Sequence, residues 1–416
     1  MSPQDLSTPE GFEINNLPHR HRTGRVWRII FQVSTLIGII SLALLLINIT
    51  NESFGYAVIE YKVDPASLES EGVPLEEMSE AQLIQVIQEN VSSGRLKTLE
   101  KEEPLAERSQ EELLEIIKVD ILKPKAVETF LLIESLFRKS EIEALVAEEH
   151  PEAKLEFKRW LTWEFINSPQ SSDPLMAGIQ TAILGSIWII FITILFAFPI
   201  GIMAAVYLEE YATQSRLQRI IQTNINTLAG VPSIIYGILG LTIFVFGLAP
   251  LTSGEVFGNT TESTANGRTI ISAGLTMGLL VLPLLIINSQ EAIRAVPRSL
   301  REAGYGLGAT KWQVVWHHVL PNALAGILTG TILSVSRAIG ETAPLVVIGA
   351  STFINYNPDS FFSKFTSLPI QIYQWTSRPQ DVFRNIAAAA IIGLLILLLA
   401  MNTFAIFLRN RYTRRL

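Results

Sequence analysis

The stretch EAIRAVPRSLREAGYGLGATKWQVVWHHVLPNALAGILTGTILSVSRAIGETAPL, residues 291–345, decides how the rest of the chain is read. Its first part, 294–321, is basic and punctuated by glycine, too charged to lie in hydrocarbon, yet flanked on both sides by apolar runs. It is expected to be a loop at a membrane face. The second part, 322–353, is one of those runs, and it carries Arg337 and Glu341 near its middle. A charge at that depth costs about 3 kcal/mol even on insertion scales, so the pair calls for a purpose.

Working outward, 49% of the 416 residues are hydrophobic and 17% are charged, against roughly 25% charged in soluble domains. The apolar residues cluster in six runs near the ~20 residues needed to cross hydrocarbon: 29–49, 178–206, 228–248, 270–287, 324–350 and 387–408. All six are predicted to be helices, because lipid offers no partner to an unpaired backbone group and nothing here alternates like a barrel strand. The run 29–49 is too long for a signal-peptide core and no small-x-small cleavage pattern follows it, so it is expected to remain as an anchor. The absence of cysteine excludes disulfides and thiolate metal sites.

Basic residues set the orientation. Arg20, Arg22, Arg25 and Arg28 precede the first run, Arg216 and Arg219 follow the second, Arg294, Arg298, Arg301 and Lys311 follow the fourth, and Arg409, Arg411, Arg414 and Arg415 end the chain. With six spans all four clusters fall on one side. Both termini and these loops are therefore expected in the cytoplasm, with 51–175, 250–268 and 352–384 outside. The net charge of -7 hides a division, for residues 51–175 hold 27 acidic and 13 basic side chains while the remainder is +7. The expected plan is a basic tail (1–28), a first helix (29–49), an acidic outer domain (50–175), a core with five further helices (176–408) enclosing a cytoplasmic loop (291–322), and a basic tail (409–416).

The outer domain begins with Tyr56, Val58 and Tyr61 alternating as in a short strand and then reads as mainly helical. Capping boxes at Ser79 with Gln82, Ser109 with Glu112 and Ser140 with Glu143 mark three helix starts, each followed by apolar residues at helical spacing. Its acidic surface repels anions, docks a partner or is simply solvated. His19-Arg20-His21-Arg22 reads as a solvated basic tail rather than a metal site. In the third run, Ala229-Gly230-Val231-Pro232-Ser233 followed by Gly237 and Gly240 predicts close helix packing in preference to direct substrate contact, and Pro232 suits a helix that bends or lines a cavity.

Within the cytoplasmic loop, 299–307 is expected to be a helix with Leu300, Ala303 and Leu307 on one face. Gly308 permits a left-handed turn, and a second helix over 311–320 carries Trp312, Val315 and Val319. His317 and His318 are adjacent, point to different faces and make a poor chelate. The spacing Glu302-Ala303-Gly304, three residues, Gly308, nine residues, His318, one residue, Leu320-Pro321 resembles the EAA loop of bacterial ABC importer permeases, with Gly304 in place of Ala and His318 in place of Ile. The resemblance implies that Arg301, Glu302, Ala303, Gly304, Gly308, Ala309, Thr310, Lys311, Leu320 and Pro321 couple the chain to a separate ATPase. The bland alternative is an interfacial amphipathic helix. The dipeptide Gly-Lys that ends a P-loop motif never occurs, so ATP would be used by the partner and no cofactor is bound by this chain.

Arg337 and Glu341 stand four apart, hence on one helix face and able to pair, and a buried pair is not by itself a gain in stability. The guanidinium fork suits a tetrahedral oxyanion, so Arg337, Glu341, Thr342 and Ser336 are the candidate substrate-pathway residues, the alternative being a static lock between helices. The segment SRAIGETAPL, 336–345, resembles the signature of the permeases of phosphate-specific ABC importers, and its Ala-Pro after Glu-Thr is closer to the PstA type than to the PstC type. Further similarity runs through 228–240, SLPIQIYQW at 367–375 and 402–411. The resemblance implies an all-α permease of six transmembrane helices in the bacterial inner membrane, non-catalytic, paired with a PstC-type permease, two copies of a PstB-type ATPase and an extracytoplasmic phosphate-binding protein, with no nucleic acid. It leaves 67–159 uncovered. The rival readings are an importer of sulfate or molybdate and a membrane sensor with an external ligand domain; an enzyme is disfavoured because no His/Asp/Glu cluster has catalytic spacing.

Overall fold

The computed structural model describes residues 17–68, 74–213, 215–258, 266–350 and 353–413. Residues 1–16 of the basic tail, together with Arg414 and Arg415, lie outside them.

Helix α1 (Leu17–Ser53) is about 55 Å long at 1.5 Å per residue and passes without a loop into strand β1 (Phe54–Glu60). Strand β1 is the centre of a three-stranded antiparallel sheet, flanked by β2 (Lys125–Thr129) and β3 (Lys154–Arg159). Between β1 and β2 lies a helical lobe, α2 (Glu80–Asn90), α3 (Ser93–Glu102) and α4 (Gln110–Ile116), packed around Met78, Leu83, Ile87, Leu113 and Ile117. The predicted capping boxes at Ser79 and Ser109 form. The third does not. After the short α5 (Leu132–Phe137), α6 (Lys139–Glu149) starts before Ser140, which sits inside its first turn.

The outer domain is thus a sheet with helices, and the expectation of a mainly helical domain with one strand misses β2 and β3. Their sequences, KAVET and KLEFKR, are short and charge-rich because each is an edge strand with half-exposed faces. Strand β1 alternates with purpose. Ala57 and Ile59 pack with Trp375, Phe383 and Ile386 of the membrane core, while Val58 packs with Ile142 and Val146 of α6 on the other face. Residues 54–60 therefore belong to the insert, and they seat it on the core.

A short α7 (Trp163–Asn167) leads into the core helices: α8 (Gln180–Val206), α9 (Arg216–Ala229), α10 (Ser233–Gly240), α11 (Ala249–Thr252), α12 (Ile270–Arg294), α13 (Arg298–Gly306), α14 (Lys311–Val314), α15 (Leu320–Gly340), α16 (Ala343–Ile348), α17 (Leu368–Thr376) and α18 (Asp381–Thr413). The central helix is α12, whose Met277, Leu280, Val281 and Leu285 are buried against Ile189 and Ile192 of α8, Tyr236 of α10 and Ala338 of α15. Close approach is built in: a Cβ on Gly240 would stand 2.0 Å from Thr276 Oγ1.

Among the described residues five helices are long and apolar enough to cross a membrane, or six if one bent pair counts as a single span. That pair is the third run. Helices α9 and α10, the latter continuing to Gly247, meet at 106° where Gly230 and Pro232 interrupt the hydrogen-bond ladder. The bend at Pro232 is as expected, but the crossing is not one straight helix over 228–248. The fifth run also differs. Helix α15 stops at Gly340, Glu341 is extended (ψ 119°), and α16 begins anew, because Pro344 lacks an N–H and its ring would clash with the carbonyl four residues back. Arg337 is therefore in the last turn before a break, not at the middle of an unbroken span.

The two ends of the bundle are distinct. Asn385 Nδ2 donates to Glu52 O, Ile270 N to Ser363 O and Ile354 N to Gln170 Oε1, which gathers 50–175, the start of α12 and 353–380 at one end. At the other, Arg294 pairs with Glu209, joining the loop 291–322 to the end of α8, and Arg409 in the last turns of α18 donates to Thr329 of α15.

Candidate functional site: a clamped lever and a broken helix

The loop folds as helix, turn, helix. Helix α13 ends at Gly306, Gly308 takes φ +79°, and Thr310 caps α14 through a capping box with Gln313. Nothing lies within 4 Å of a Cβ built on Gly308, so glycine is there for its backbone and not for space. From Lys311 the chain runs as one 30-residue helical stretch to Gly340. It widens to a π-type turn at Val315–Val319, which accommodates Pro321 where an ordinary turn would drive its ring into the carbonyl of His317.

Burial divides the coupling candidates. Gly304 is buried, with a built Cβ only 2.8 Å from Val314 Cγ2, which accounts for glycine where the EAA pattern has alanine. Ala309 donates its N–H to Gly304 O, locking the turn. Glu302, Ala303 and Thr310 are exposed. Leu307 is 89% exposed, and Leu300, Tyr305 and the stacked pair Trp312 and Trp316 are also open. This apolar face points away from the bundle. His317 Nδ1 bonds only within its own helix, to Gln313 O, as a surface residue would.

Arg301 behaves differently. Its side chain is 16% exposed, and its Nε and Nη2 donate to Glu210 Oε1 at 3.0 and 2.8 Å, with Glu210 only 7% exposed. Its Nη1 and Nη2 also donate to Val296 O and Ile293 O at 2.7 and 2.9 Å. The guanidinium forms a clamp between the start of the lever and the end of α8. Two neighbours reinforce it: Arg294 pairs with Glu209, and Lys311 Nζ stands 5.2 Å over the Tyr211 ring. The segment Tyr207–Tyr211, a π-type turn at the end of α8, therefore grips both helices of the lever. A charged YLEEY at a helix end reads in the sequence as a plain membrane exit. Its partners are 85 to 100 residues away, so only the fold identifies it as a clamp.

Arg337 and Glu341 do pair, Nε to Oε1 at 3.4 Å, although Glu341 lies just beyond the helix. Arg337 is 51% exposed and Glu341 20%. Glu341 is the partner of Arg337 among the described residues and engages Nε, leaving the guanidinium Nη groups for another acceptor. Thr342 is half-buried at the start of α16. Ser336 faces another way: its hydroxyl is 2.6 Å from Asn402 Oδ1 on α18, tying the two helices, so the structure separates it from the charged pair. The broken segment rests on the other broken helix, with Pro344 Cα 2.8 Å from a Cβ built on Gly237. Interrupted helices leave backbone groups unpaired at membrane depth, which is tolerated where they are buried in protein or line a path.

A polar layer escaped the sequence reading. Gln290 and Gln222 exchange amide hydrogen bonds at 2.8 and 3.1 Å between α12 and α9, and Asn288 Nδ2 reaches Ser334 Oγ at 3.5 Å. The signal in the sequence is the triplet Asn288-Ser289-Gln290, which directly follows the apolar run 270–287. Among the described residues one group gathers metal-ligating atoms, Glu128, Glu149 and His150 within 4.8 Å of one another, on the outer domain and remote from the broken helices.

Residues 197–416 match the family described as binding-protein-dependent transport system inner membrane component. Phosphate transport system permease protein PstA 1 of Mycobacterium tuberculosis is 36% identical over 245 residues, 58% of this chain and 74% of that protein. The PstA protein of Mycobacterium leprae is 36% identical over the same share of each chain. That of Haemophilus influenzae is 30% identical over 228 residues, 55% of this chain and 74% of its own. A solved chain of a bacterial alginate ABC transporter aligns with 68% of this chain and 95% of its own at TM-score 0.45 and 16% identity, a likeness too slight to argue from.

Proposed function

From a chain that belongs to the binding-protein-dependent transport system inner membrane component family, an ABC importer permease, we propose the permease subunit of an ATP-driven inorganic phosphate importer of the PstA type. The observation that carries the substrate reading is Arg337. A half-exposed guanidinium held at Nε by Glu341 keeps its Nη groups free beside the interrupted helices α15 and α10. Its fork matches a tetrahedral oxyanion, and Glu341 competes for it, so the anion is released rather than trapped. Phosphate is chosen over sulfate or molybdate on the SRAIGETAPL segment and on the names of the relatives.

In this reading a phosphate-binding protein delivers the anion at the end where 50–175 lies, and a PstC-type permease completes the path. Two PstB-type ATPases press on α13 through Glu302, Ala303 and the open apolar face around Leu307. Closure on ATP moves the lever, the Arg301–Glu210 clamp passes that motion to α8, and the packed core passes it to the broken helices. The Arg-rich clusters support a cytoplasmic lever and cytoplasmic termini.

The test is labelled phosphate uptake into proteoliposomes holding this chain with its co-purified partners, with and without ATP inside. Sulfate, molybdate and arsenate serve as competitors. ATP-dependent uptake blocked by arsenate and not by sulfate is expected. Uptake competed by sulfate or molybdate moves the substrate to that oxyanion, and a kinase in place of an ATPase in the complex overturns the transport reading.

A further inference from the structure

The outer domain turns two apolar surfaces outward where the spanning helices emerge. The first is α5, where Ile133, Leu136 and Phe137 are 50, 65 and 83% exposed. Positions i, i+3 and i+4 form one helix face, so a whole face of this short helix is apolar and uncovered. Its other side is anchored by Ser135, buried, whose Oγ accepts from Tyr56 N at 2.8 Å. The second is Trp163, 78% exposed in the first turn of α7.

Main-chain bonds fix both at the ends of spanning helices. The N–H of Ile133 donates to Asn51 Oδ1 at 2.8 Å, and Asn51 stands two residues past the apolar run of α1. Two residues of helix rise about 3 Å, so α5 begins at the edge of the hydrocarbon. Phe165 O and Ser168 O of the α7 segment accept from Ile179 N and Gln180 N, where α8 starts, and Trp160 N donates to Ser53 O. Both surfaces therefore lie at one membrane boundary. The α5 face is continuous with α1, whose apolar side chains from Val26 to Ile47 are exposed along its length. Basic Arg138 and Lys139 follow Phe137 and are exposed as well, in solvent-open pairs with Glu141 and Glu143 that a headgroup phosphate can replace.

We propose that Ile133, Leu136, Phe137 and Trp163 form a belt seated in the boundary between acyl chains and headgroups of the leaflet at which the outer domain emerges. Phospholipid is the occupant, because the patch continues a lipid-facing helix and pairs aromatic side chains with adjacent cations, as interfacial segments do. Residues 51–175 carry a charge balance of -14, which an anionic surface repels. The belt holds the domain down against that repulsion and fixes its tilt over the core.

The chain contains no cysteine, so each variant adds one labelled site to it, and the unsubstituted complex treated alike gives the partners' background for subtraction. Phe137→Cys, Trp163→Cys and Leu145→Cys, each in the assembled complex, are spin-labelled and reconstituted in phosphatidylethanolamine–phosphatidylglycerol vesicles. Leu145 is exposed on α6, across the sheet from the core, and reports water. Collision with oxygen, which concentrates in lipid, is compared with collision with a water-soluble nickel chelate. Oxygen is expected to dominate several-fold at 137 and 163, and nickel at 145. Nickel access at 137 or 163 equal to that at 145 overturns the belt. Shielding of either site from both reagents overturns it too, and assigns the patch to a protein partner.

Discussion

Replacing Glu210 by alanine tests whether the lever is clamped to α8. The carboxylate accepts two bonds from Arg301 in a site where the side chains are 7% and 16% exposed. Removing one partner of a buried pair costs 3–5 kcal/mol as a rule, since it strands the other charge. Arg301 keeps its bonds to Val296 O and Ile293 O, so the loss here is placed at the low end, about 3 kcal/mol. At 1.4 kcal/mol per decade this raises the opening of α13 by roughly 100-fold. Hydrogen exchange in the nucleotide-free complex is expected to show amides of 298–306 exchanging faster by that factor, with ATP-driven uptake falling in parallel. Glu210→Gln keeps an acceptor and is expected to lose less. Unchanged exchange over 298–306 in the alanine variant refutes the clamp.

Three other perturbations address separate parts. Arg337→Gln is expected to reduce phosphate uptake at least tenfold while the complex still assembles, on the order of the loss of one charge-assisted contact; normal uptake sinks the pathway role. Gly308→Val forces a β-branched residue to φ +79° with no neighbour within 4 Å of its Cβ, so the cost of about 1–2 kcal/mol comes from its own backbone and is confined to the turn. The variant should fold but co-purify poorly with its ATPase, and intact co-purification with normal transport counts against the lever. Burial raises the Asp173 carboxyl above its usual range, opposed by the bond it accepts from Leu175 N. The folded chain thus holds this proton more tightly than the unfolded one, and the group's contribution to stability declines as pH rises from the unfolded value through the folded one. Asp173→Asn keeps an acceptor and removes the titration, so its Tm should match the parent in acid and exceed it near neutrality; equal Tm at both ends contradicts the burial argument.

Composition and period alone determined that this chain is a helical membrane protein, because a run of ~20 apolar residues has no stable alternative in lipid. Local chemistry also revealed the lever: Gly308 marks a left-handed turn and Thr310 a cap, each set by a few neighbouring residues. The charged pair was legible too, since four residues separate Arg337 from Glu341. What distance along the chain concealed, the tertiary structure decided. Edge strands β2 and β3 exist only because β1 lies between them, and no local pattern marks a strand whose hydrogen-bond partner is some 70 to 100 residues away. That Arg301 meets Glu210, 91 residues back, is equally hidden in the sequence. Ser336 belongs to the same decapeptide as Arg337, yet its hydroxyl is committed to Asn402, 66 residues on. A helix interruption follows from Pro344 and Gly230 with Pro232, but that the two broken helices rest on each other, Gly237 against Pro344, is a matter of packing. Backbone conformation and capping are governed by near neighbours, whereas the partner of a charge or of a strand edge is set by which surfaces the whole chain buries together.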